Sequence, residues 1–300
     1  MTHSRRLVLA LIIDLCLVVG EAAGSVLAHS SGLAATAGHD LADAAALGLA
    51  LVATRLALRP ATATRSFGYH RAAILAALAN ATAIVVVGLG VIALAAYRLA
   101  EPVHVRGGVV IAFAAAGLLG NGAVAFMLKE QSHDLNLKAV ALHFAGDAAA
   151  ALGVIVAGTV IVLTGRFEAL DPAVALLITL LIAAKAWRLV RASIEVLLEA
   201  TPADLDVTAL ASAISATEGV TAVHDLHCWS LSSDVRALSA HIVLDGHPSL
   251  EQAQVVGEQV KASLSRRFKV AHATLEMECE PCAEDVADAC AVDPVLRALG

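Results

Sequence analysis

The stretch Ala72–Tyr97, AAILAALANATAIVVVGLGVIALAAY, and the stretch Gly107–Leu128, GGVVIAFAAAGLLGNGAVAFML, contain no charged residue. Each is longer than the roughly 20 apolar residues that an α-helix needs to cross the hydrocarbon core of a bilayer. A helix that is apolar on every side is buried in a membrane or in the core of a large protein. These two segments therefore predict an α-helical membrane protein.

Four further segments have a similar length and carry only isolated polar residues. They are Leu7–Ala28, Leu33–Leu58, Leu137–Leu163 and Pro172–Val190. The sequence thus predicts six transmembrane helices, of which the first is too long and too acidic for a cleaved signal peptide. If both termini are cytoplasmic, eleven Lys and Arg residues lie on the inner side and three on the outer side, as the positive-inside rule requires. We expect a multi-pass protein of the cell (inner) membrane with both termini in the cytoplasm.

The composition excludes several other classes of protein. Of the 300 residues, 59% are hydrophobic and only 16% are charged, whereas a soluble domain has about 25% charged residues. Residues 1–200 hold 14 Lys and Arg against 12 Asp and Glu, while residues 201–300 hold 6 against 15, so the net charge of −7 arises in the last third. No basic patch is available for nucleic acid. Five cysteines are too few, and odd in number, for a secreted disulfide scaffold.

Hydropathy falls at Glu199-Ala-Thr-Pro202, and an α-β-β-α-β pattern follows. Its predicted elements are helix Val207–Thr217, strands Ala222–Leu231 and Ala237–Leu244, helix Ser249–Phe268 with Ser249 as N-cap, and strand Ala273–Glu278. This order predicts a small α+β domain in which one antiparallel sheet has helices on one face. We divide the chain into a transmembrane domain (1–200), an α+β domain (201–280) and an acidic, Cys-containing tail (281–300).

Two His/Asp pairs lie inside predicted membrane helices: His39 with Asp43, and His143 with Asp147. Ionisable residues are costly inside a membrane and therefore indicate function. Residues four apart share one face of a helix, so two opposed faces would supply two imidazoles and two carboxylates. That donor set suits tetrahedral Zn²⁺, whereas Mg²⁺ and Ca²⁺ prefer more oxygen ligands. The alternative is helix-packing hydrogen bonds or a buried ion pair, which the repetition of the same pair disfavours.

Three other acidic residues lie in the same predicted helices. Asp40 is beside His39 but points about 100° away around the helix, which favours a supporting or helix-end position. Asp14 and Glu21 are seven residues apart on one face of the first helix. We expect them to line the bundle interior or a water-filled access path rather than to bind metal.

Six motifs of the chain resemble the cation diffusion facilitator family of zinc transporters, in that family's order. They are HDLAD (39–43), FGYHRAAILAALAN (67–80), LHFAGD (142–147), LLEATP (197–202), VHDLHCWS (223–230) and LSAH (238–241). The resemblance extends from about Leu7 to Glu278. It implies a homodimeric Zn²⁺/H⁺ antiporter with six membrane helices and a ferredoxin-like, metallochaperone-like cytoplasmic domain. It also implies a transport site at His39, Asp43, His143 and Asp147, the ligand combination that the family associates with zinc.

The sequence departs from the family pattern at two places. Many members carry an acidic residue three positions before the first site histidine, where this chain has Thr36. Many also have a histidine-rich loop between helices 4 and 5, whereas Lys129–Lys138 contains only His133. A loop that gathers metal is therefore not expected here.

The resemblance also suggests a metal site in the α+β domain at His224, His241 and Glu278, with Glu276 as a substitute for Glu278. The alternative is an acidic sheet face exposed to water. His227 is three residues from His224 and is predicted to face the opposite side of the strand. His70 matches a position that binds a peripheral zinc in some members, although a surface histidine is the simpler interpretation.

Cys279-Glu-Pro-Cys282 is a C-x-x-C pair at the start of the tail. Thiolate pairs bind zinc or form redox couples, but a structural zinc site needs four ligands. A cytosolic location argues against a disulfide. Two interpretations stay open: a weak or dimer-completed metal site, and a plain reduced tail.

We therefore predict a divalent cation efflux transporter, not an enzyme, that exports Zn²⁺ in exchange for H⁺ by alternating access. Zinc would be its transported substrate and a possible regulatory ligand. The alternatives are the same transport with broader selectivity for Cd²⁺, Co²⁺, Fe²⁺ or Mn²⁺, a membrane metal sensor that does not transport, and an intramembrane zinc hydrolase. The hydrolase is disfavoured because the chain lacks H-E-x-x-H and the four proposed ligands leave no open coordination position.

Overall fold

The computed structural model describes residues 3–129, 135–232 and 235–280. Its first part consists of six long helices: α1 (His3–Ala28), α2 (Ser31–Ala57), α3 (Ala72–Ala100), α4 (Gly107–Lys129), α5 (Leu135–Thr164) and α6 (Leu170–Leu197). All six predicted helices are confirmed. Among the described residues, every one of these helices except α2 contains a window long and apolar enough to cross a membrane. The exception carries His39, Asp40 and Asp43, which lower its hydropathy.

The apolar residues of the bundle pack around α4, which lies against α5 and α1. A Cβ on Gly107 would lie 2.8 Å from the carbonyl oxygen of Gly158, and a Cβ on Gly158 would lie 3.3 Å from that of Gly107. The backbones of α4 and α5 thus meet directly, as small residues permit in membrane helices. The buried core next to this contact includes Leu33, Val110 and Val154.

The N-terminal end of α2 is tied to α6 by one buried carboxylate. Asp171 accepts hydrogen bonds from the Ser30 hydroxyl, from the Ser31 N–H (2.6 Å) and from the Gly32 N–H (3.3 Å). These are donors that a helix start leaves unsatisfied, so Asp171 acts as a cap supplied by another helix. Arg98 of α3 donates to the Ser31 hydroxyl (2.9 Å) in the same place. The ends of α2, α3 and α6 are therefore locked together here.

The second part has the predicted α-β-β-α-β order. Its elements are α7 (Val207–Ser215), β1 (Val220–Ser230), β2 (Arg236–Leu244), α8 (Leu250–Phe268) and β3 (Val270–Glu278). Ser249 is confirmed as the N-cap of α8, where it forms a capping box with Gln252. Apolar residues of β2, among them Leu238 and Ile242, pack with Leu210 and Val260 of the two helices.

The predicted antiparallel sheet is correct for one pair of strands and wrong for the other. β1 and β2 are antiparallel, whereas β2 and β3 are parallel, with β2 in the centre. The reason is that α8 carries the chain from the end of β2 back to its start, so β3 runs in the same direction as β2. The result is a mixed three-stranded sheet.

A β-bulge in β1 corrects a second prediction. His224 lies opposite His241, and His227 lies opposite Ser239, so the two residues Asp225 and Leu226 face a single residue of β2. Asp225 adopts a left-handed conformation with φ 48°, which accommodates the extra residue. Because positions 239 and 241 share a face of β2, His224 and His227 also share a face. The prediction that they point opposite ways was therefore wrong.

Contacts divide the chain into two compact units. Of the described residues, one unit contains those within 1–53 and 76–191, and the other contains 54–75 together with those from 192 to 280. The loop between α2 and α3 thus belongs to the same unit as the α+β domain.

Candidate metal transport site

Helices α2 and α5 bring the two predicted His/Asp pairs together. We call this group, which consists of His39, Asp43, His143 and Asp147, the intramembrane cluster. His143 Nε2 lies 3.1 Å from Asp43 Oδ2, and His39 Nε2 lies 3.3 Å from Asp147 Oδ1. Within each helix, the corresponding distances are 3.5 Å for His39 to Asp43 and 3.6 Å for His143 to Asp147. The Nε2 atom of each imidazole therefore faces both carboxylates.

These separations are close to those between neighbouring ligands of a tetrahedral zinc ion. Zinc binds imidazole nitrogen and carboxylate oxygen at about 2.0–2.2 Å, which places neighbouring ligands of a tetrahedron about 3.3–3.6 Å apart. Asp43 offers the same oxygen to both histidines, while Asp147 offers one oxygen to each. His39, Asp43 and His143 already have one donor atom each within 4.8 Å of the others. Asp147 is not part of that group, so its carboxylate would have to shift for all four residues to bind one ion.

A cavity of about 590 Å³ leads to this cluster. All four residues of the intramembrane cluster lie in its wall, together with Asn80 of α3. Lys185 and Leu189, in the second half of α6, also line it, whereas the first turn of α6 is capped against the buried Ser30 and Ser31 through Asp171. The cavity follows α6 from Val174 to Leu189 and so extends along both halves of this helix beside the cluster.

The other acidic residues of the helices lie inside the bundle. Asp14, Glu21 and Asp40 are all buried, in agreement with the expectation that Asp14 and Glu21 line the interior. Glu21 faces α4, where a Cβ on Gly117 would lie 2.6 Å from Glu21 Oε1. None of these three belongs to a group of three or more metal-ligating residues within the described ranges.

A second group of potential ligands lies on the sheet face that carries no helix. We call His224, His241 and Glu278 the sheet cluster. The two carboxylate oxygens of Glu278 lie 2.9 Å from His224 Nε2 and 2.8 Å from His241 Nδ1. The buried Nδ1 of His241 nevertheless has no hydrogen bond, so its short approach to Glu278 is not that of a donor and an acceptor. His224 Nε2, by contrast, forms a hydrogen bond of 2.9 Å with Glu278. One donor atom each of His224, His241 and Glu278 lies within 4.8 Å of the others, a grouping that could hold a metal ion.

Two carboxylates and a third histidine surround the sheet cluster. Glu276 and Asp225 each approach His241 Nε2 to 3.5 Å, and Asp225 also lies 2.9 Å from His227 Nε2. The sequence does not identify Asp225 as a ligand, and the period of a regular strand predicts His227 on the other face. The sequence V-H-D-L-H (223–227) does place these residues close together. It shows that His227 and Asp225 lie beside His224 and His241 only once the bulge at Asp225 is known.

The remaining candidates are not joined to either cluster. Cys279 is exposed, while Cys282, His133 and the rest of the tail lie outside the described residues. His70 is half-buried beside the α2–α3 loop and belongs to neither cluster. Burial raises the pKa of the Cys228 thiol, so this group stays protonated at neutral pH and is a poor ligand.

Comparison with known proteins agrees with this arrangement over both parts of the chain. Residues 7–198 match the family described as cation efflux transmembrane domain, and residues 202–280 match the cytoplasmic domain of cation efflux proteins. The chain belongs to the cation efflux family.

Relatives in this family resemble the chain over nearly its whole length. The metal cation efflux system protein CzcD of Cupriavidus metallidurans is 35% identical over 93% of this chain and 88% of its own. The zinc transporter ZitB of Escherichia coli is 35% identical over 93% and 89%. The cadmium, cobalt and zinc/H⁺-K⁺ antiporter of Bacillus subtilis is 31% identical over 93% and 92%.

Family membership establishes the coarse function as divalent metal cation efflux by a multi-pass membrane protein with a cytoplasmic domain. The relatives are named for transport and efflux rather than for catalysis, which fits the expectation of a non-enzyme.

Proposed function

We propose that this protein exports Zn²⁺ from the cytoplasm in exchange for H⁺, with the intramembrane cluster as its transport site. The observation that carries the proposal is the alternation of two imidazole nitrogens and two carboxylates at 3.1–3.6 Å across α2 and α5. These distances are close to the roughly 3.3–3.6 Å between neighbouring ligands of a tetrahedral zinc ion. The names of relatives that carry zinc add support.

The chemistry of the four ligands couples metal to protons. Zinc binds neutral histidine and ionised aspartate, so its binding displaces any protons that these groups hold. Free imidazole has a pKa of about 6.5, so a modestly acidic exterior favours the protonated ligands. In the outward-facing state, protons take the Nε2 positions of His39 and His143 and zinc leaves. The protonated site then returns to the cytoplasm, where zinc replaces the protons.

We further propose that the cavity beside the cluster gives zinc access to it from the cytoplasm. The cavity reaches Lys185 and Leu189, on the side where α6 leads into the domain that matches the cytoplasmic family. Asp171, in the first turn of α6, caps the start of α2. Zinc would enter from the cytoplasm, and release outward would require α2 and α6 to separate at this cap.

The wider arrangement that we propose follows the sequence predictions. The protein is a homodimer of the inner membrane with both termini in the cytoplasm, divided at residues 200 and 280 into transport domain, cytoplasmic domain and tail. The name of the family matched by residues 202–280, ZT_dimer, supports dimerisation. We also propose that the sheet cluster holds a regulatory zinc, while Cys279 and Cys282 are a weaker candidate metal site.

Proton flux in proteoliposomes tests the transport site. Purified protein is reconstituted with a pH-sensitive dye inside the vesicles, and zinc is added outside. We expect His39→Ala and Asp147→Ala each to abolish the zinc-dependent pH change, whereas His104→Ala retains it because that histidine is exposed on a loop. Undiminished flux in either site variant would refute the assignment of these ligands.

A membrane metal sensor is the competing function from a different class. It would use the same ligands but move no metal. Expression in a zinc-sensitive strain separates the two, because a transporter raises zinc tolerance and a sensor alone does not. Repeating the flux assay with Cd²⁺, Co²⁺, Fe²⁺ and Mn²⁺ defines the selectivity.

A further inference from the structure

A second cavity of about 590 Å³ lies between the α2–α3 loop and the cytoplasmic domain. Its wall includes Leu56 in the last turn of α2 and Leu75 in the first turns of α3. Trp229 and Leu231, at the end of β1, complete the apolar part. We call this cavity the loop pocket. It belongs wholly to the compact unit that contains the cytoplasmic domain, and it is separate from both metal clusters.

The walls of the loop pocket are held by specific contacts. Thr62 and Arg65 exchange two backbone hydrogen bonds of 3.1 and 3.0 Å, and Gly68 adopts a left-handed conformation with φ 68°. The ring of Phe67 contacts the ring of His272 in β3, with 5.5 Å between their centroids. Arg71 forms a 2.6 Å ion pair with Glu199. The loop therefore has a conformation that is fixed by these contacts.

The polar part of the loop pocket is basic. Arg65 and Arg71 both line it, and no Asp or Glu occurs between positions 44 and 100. Glu199 in the wall is engaged by Arg71. The guanidinium of Arg65 lies 4.8 Å from the centre of the Tyr69 ring and donates to its hydroxyl at 3.0 Å. That contact fixes the orientation of Arg65 and leaves most of its N–H groups available for an anion.

The pocket thus combines an anion-binding side with an apolar side at the level where two membrane helices end. Basic pockets between transmembrane helices on the cytoplasmic side bind anionic lipid headgroups, and aromatic residues favour the same interfacial level. A metal cation is disfavoured because two arginines face it. A small soluble anion would leave Leu56, Leu75 and Trp229 without a partner.

We propose that the loop pocket binds the headgroup and proximal chain of an anionic phospholipid, with Arg65 contacting the phosphate. This site is distinct from the transport site and goes beyond the proposed function. It would link an inner-leaflet lipid to the unit that contains the cytoplasmic domain.

Fluorescence of Trp229 tests the proposal on the full-length protein in dodecyl maltoside. The chain has two tryptophans, and Trp187 is exposed on α6, so Trp187→Phe leaves Trp229 as the only reporter. Dihexanoyl phosphatidylglycerol is added below its micelle concentration, with dihexanoyl phosphatidylcholine, glycerol phosphate and inorganic phosphate in parallel. We expect a saturable change in emission with phosphatidylglycerol only.

Variants of Arg65 locate the contact. A juxtamembrane arginine contributes roughly 1 kcal/mol to the binding of anionic lipid, so Arg65→Gln should weaken binding about fivefold. Arg65→Lys, which keeps the charge, should retain most of the affinity. Arg166→Gln is the matched control, because it removes an exposed arginine from the loop between α5 and α6. Zinc-dependent proton flux of each variant verifies that it is folded.

Three outcomes with the lipids and the Arg65 variant would overturn the proposal, and a fourth comes from the phosphate control. The first three are the absence of a phosphatidylglycerol response, an equal response to phosphatidylcholine, and a response that Arg65→Gln leaves unchanged. An equal response to inorganic phosphate would replace the lipid by a soluble anion and would likewise refute it.

Discussion

His143 Nε2 on α5 lies closer to Asp43 Oδ2 on α2, at 3.1 Å, than to Asp147 on its own helix, at 3.6 Å. The same holds for His39, which lies 3.3 Å from Asp147 and 3.5 Å from Asp43. The intramembrane cluster is thus assembled by the contact of two helices rather than within either of them. A shift of α2 against α5 would therefore separate the ligands of one helix from those of the other.

Replacing one imidazole by a carboxylate is expected to change the metal preference. His143→Asp converts the ligand set from two nitrogens and two oxygens to one nitrogen and three oxygens. Oxygen-rich sites suit Mn²⁺ better than imidazole sites do. The intrinsic order of metal affinities does not by itself make a site selective for zinc, so the ligand types matter. We expect the ratio of Zn²⁺ to Cd²⁺ or Mn²⁺ transport to fall in proteoliposomes, with His104→Ala as control. An unchanged metal profile would mean that these ligands do not set selectivity.

Zinc affinity should fall as the pH falls through the range in which imidazole titrates. Histidine must be neutral to bind zinc, and free imidazole has a pKa of about 6.5. Binding is therefore strongest where both imidazoles are neutral and weakens as they become protonated, with up to two protons competing for one ion. Calorimetric titration of His241→Ala protein at pH 8, 7 and 6 measures this without the sheet cluster. Affinity that does not depend on pH would exclude His39 and His143 as ligands.

Removing the buried cap at Asp171 should destabilise the helix bundle. Asp171→Ala leaves the Ser30 hydroxyl and the N–H groups of Ser31 and Gly32 without their acceptor. An unsatisfied buried donor costs about 1–3 kcal/mol. We expect a clearly lower midpoint in thermal unfolding followed by size-exclusion chromatography. Glu168→Ala, close to the same helix end but paired with the exposed His104, serves as the control and should have little effect.

The sheet cluster should bind one zinc that His241→Ala removes. The imidazole of His241 contacts Glu278 on one side and Asp225 and Glu276 on the other, so its loss takes away a central donor. Elemental analysis after dialysis against zinc should show one equivalent less per chain. His247→Ala changes an exposed histidine after β2 and should retain the full content. If both variants contained the same amount of zinc, the sheet cluster would not be a zinc site.

Much of the fold follows from local sequence. The uncharged stretches at Ala72 and Gly107 require membrane helices, and Ser249 with Gln252 marks the start of α8 through its capping box. The pairing of His39 with Asp43, and of His143 with Asp147, follows from helical periodicity alone. The sequence predicts that α2 and α5 face each other for one reason only. Each His/Asp pair supplies two ligands, and a tetrahedral zinc site requires four.

Two features could not be read from local sequence. The parallel pairing of β3 with β2 depends on the position at which α8 ends beside the sheet. The composition of the strands does not determine that position. The bulge at Asp225 depends on a single left-handed residue, and it moves His227 to the face of His224 and His241. A one-residue change in register reverses every subsequent side chain, so the ligands around the sheet cluster were incompletely predicted.

The most direct test of the transport site is an anomalous difference map at the zinc edge from crystals of the zinc-loaded protein. The account predicts a peak enclosed by His39, Asp43, His143 and Asp147, with four bonds of about 2.0–2.2 Å and no peak there in Asp147→Ala. Zinc bound elsewhere along the helices, with these four side chains left uncoordinated in protein that is active in transport, would contradict it.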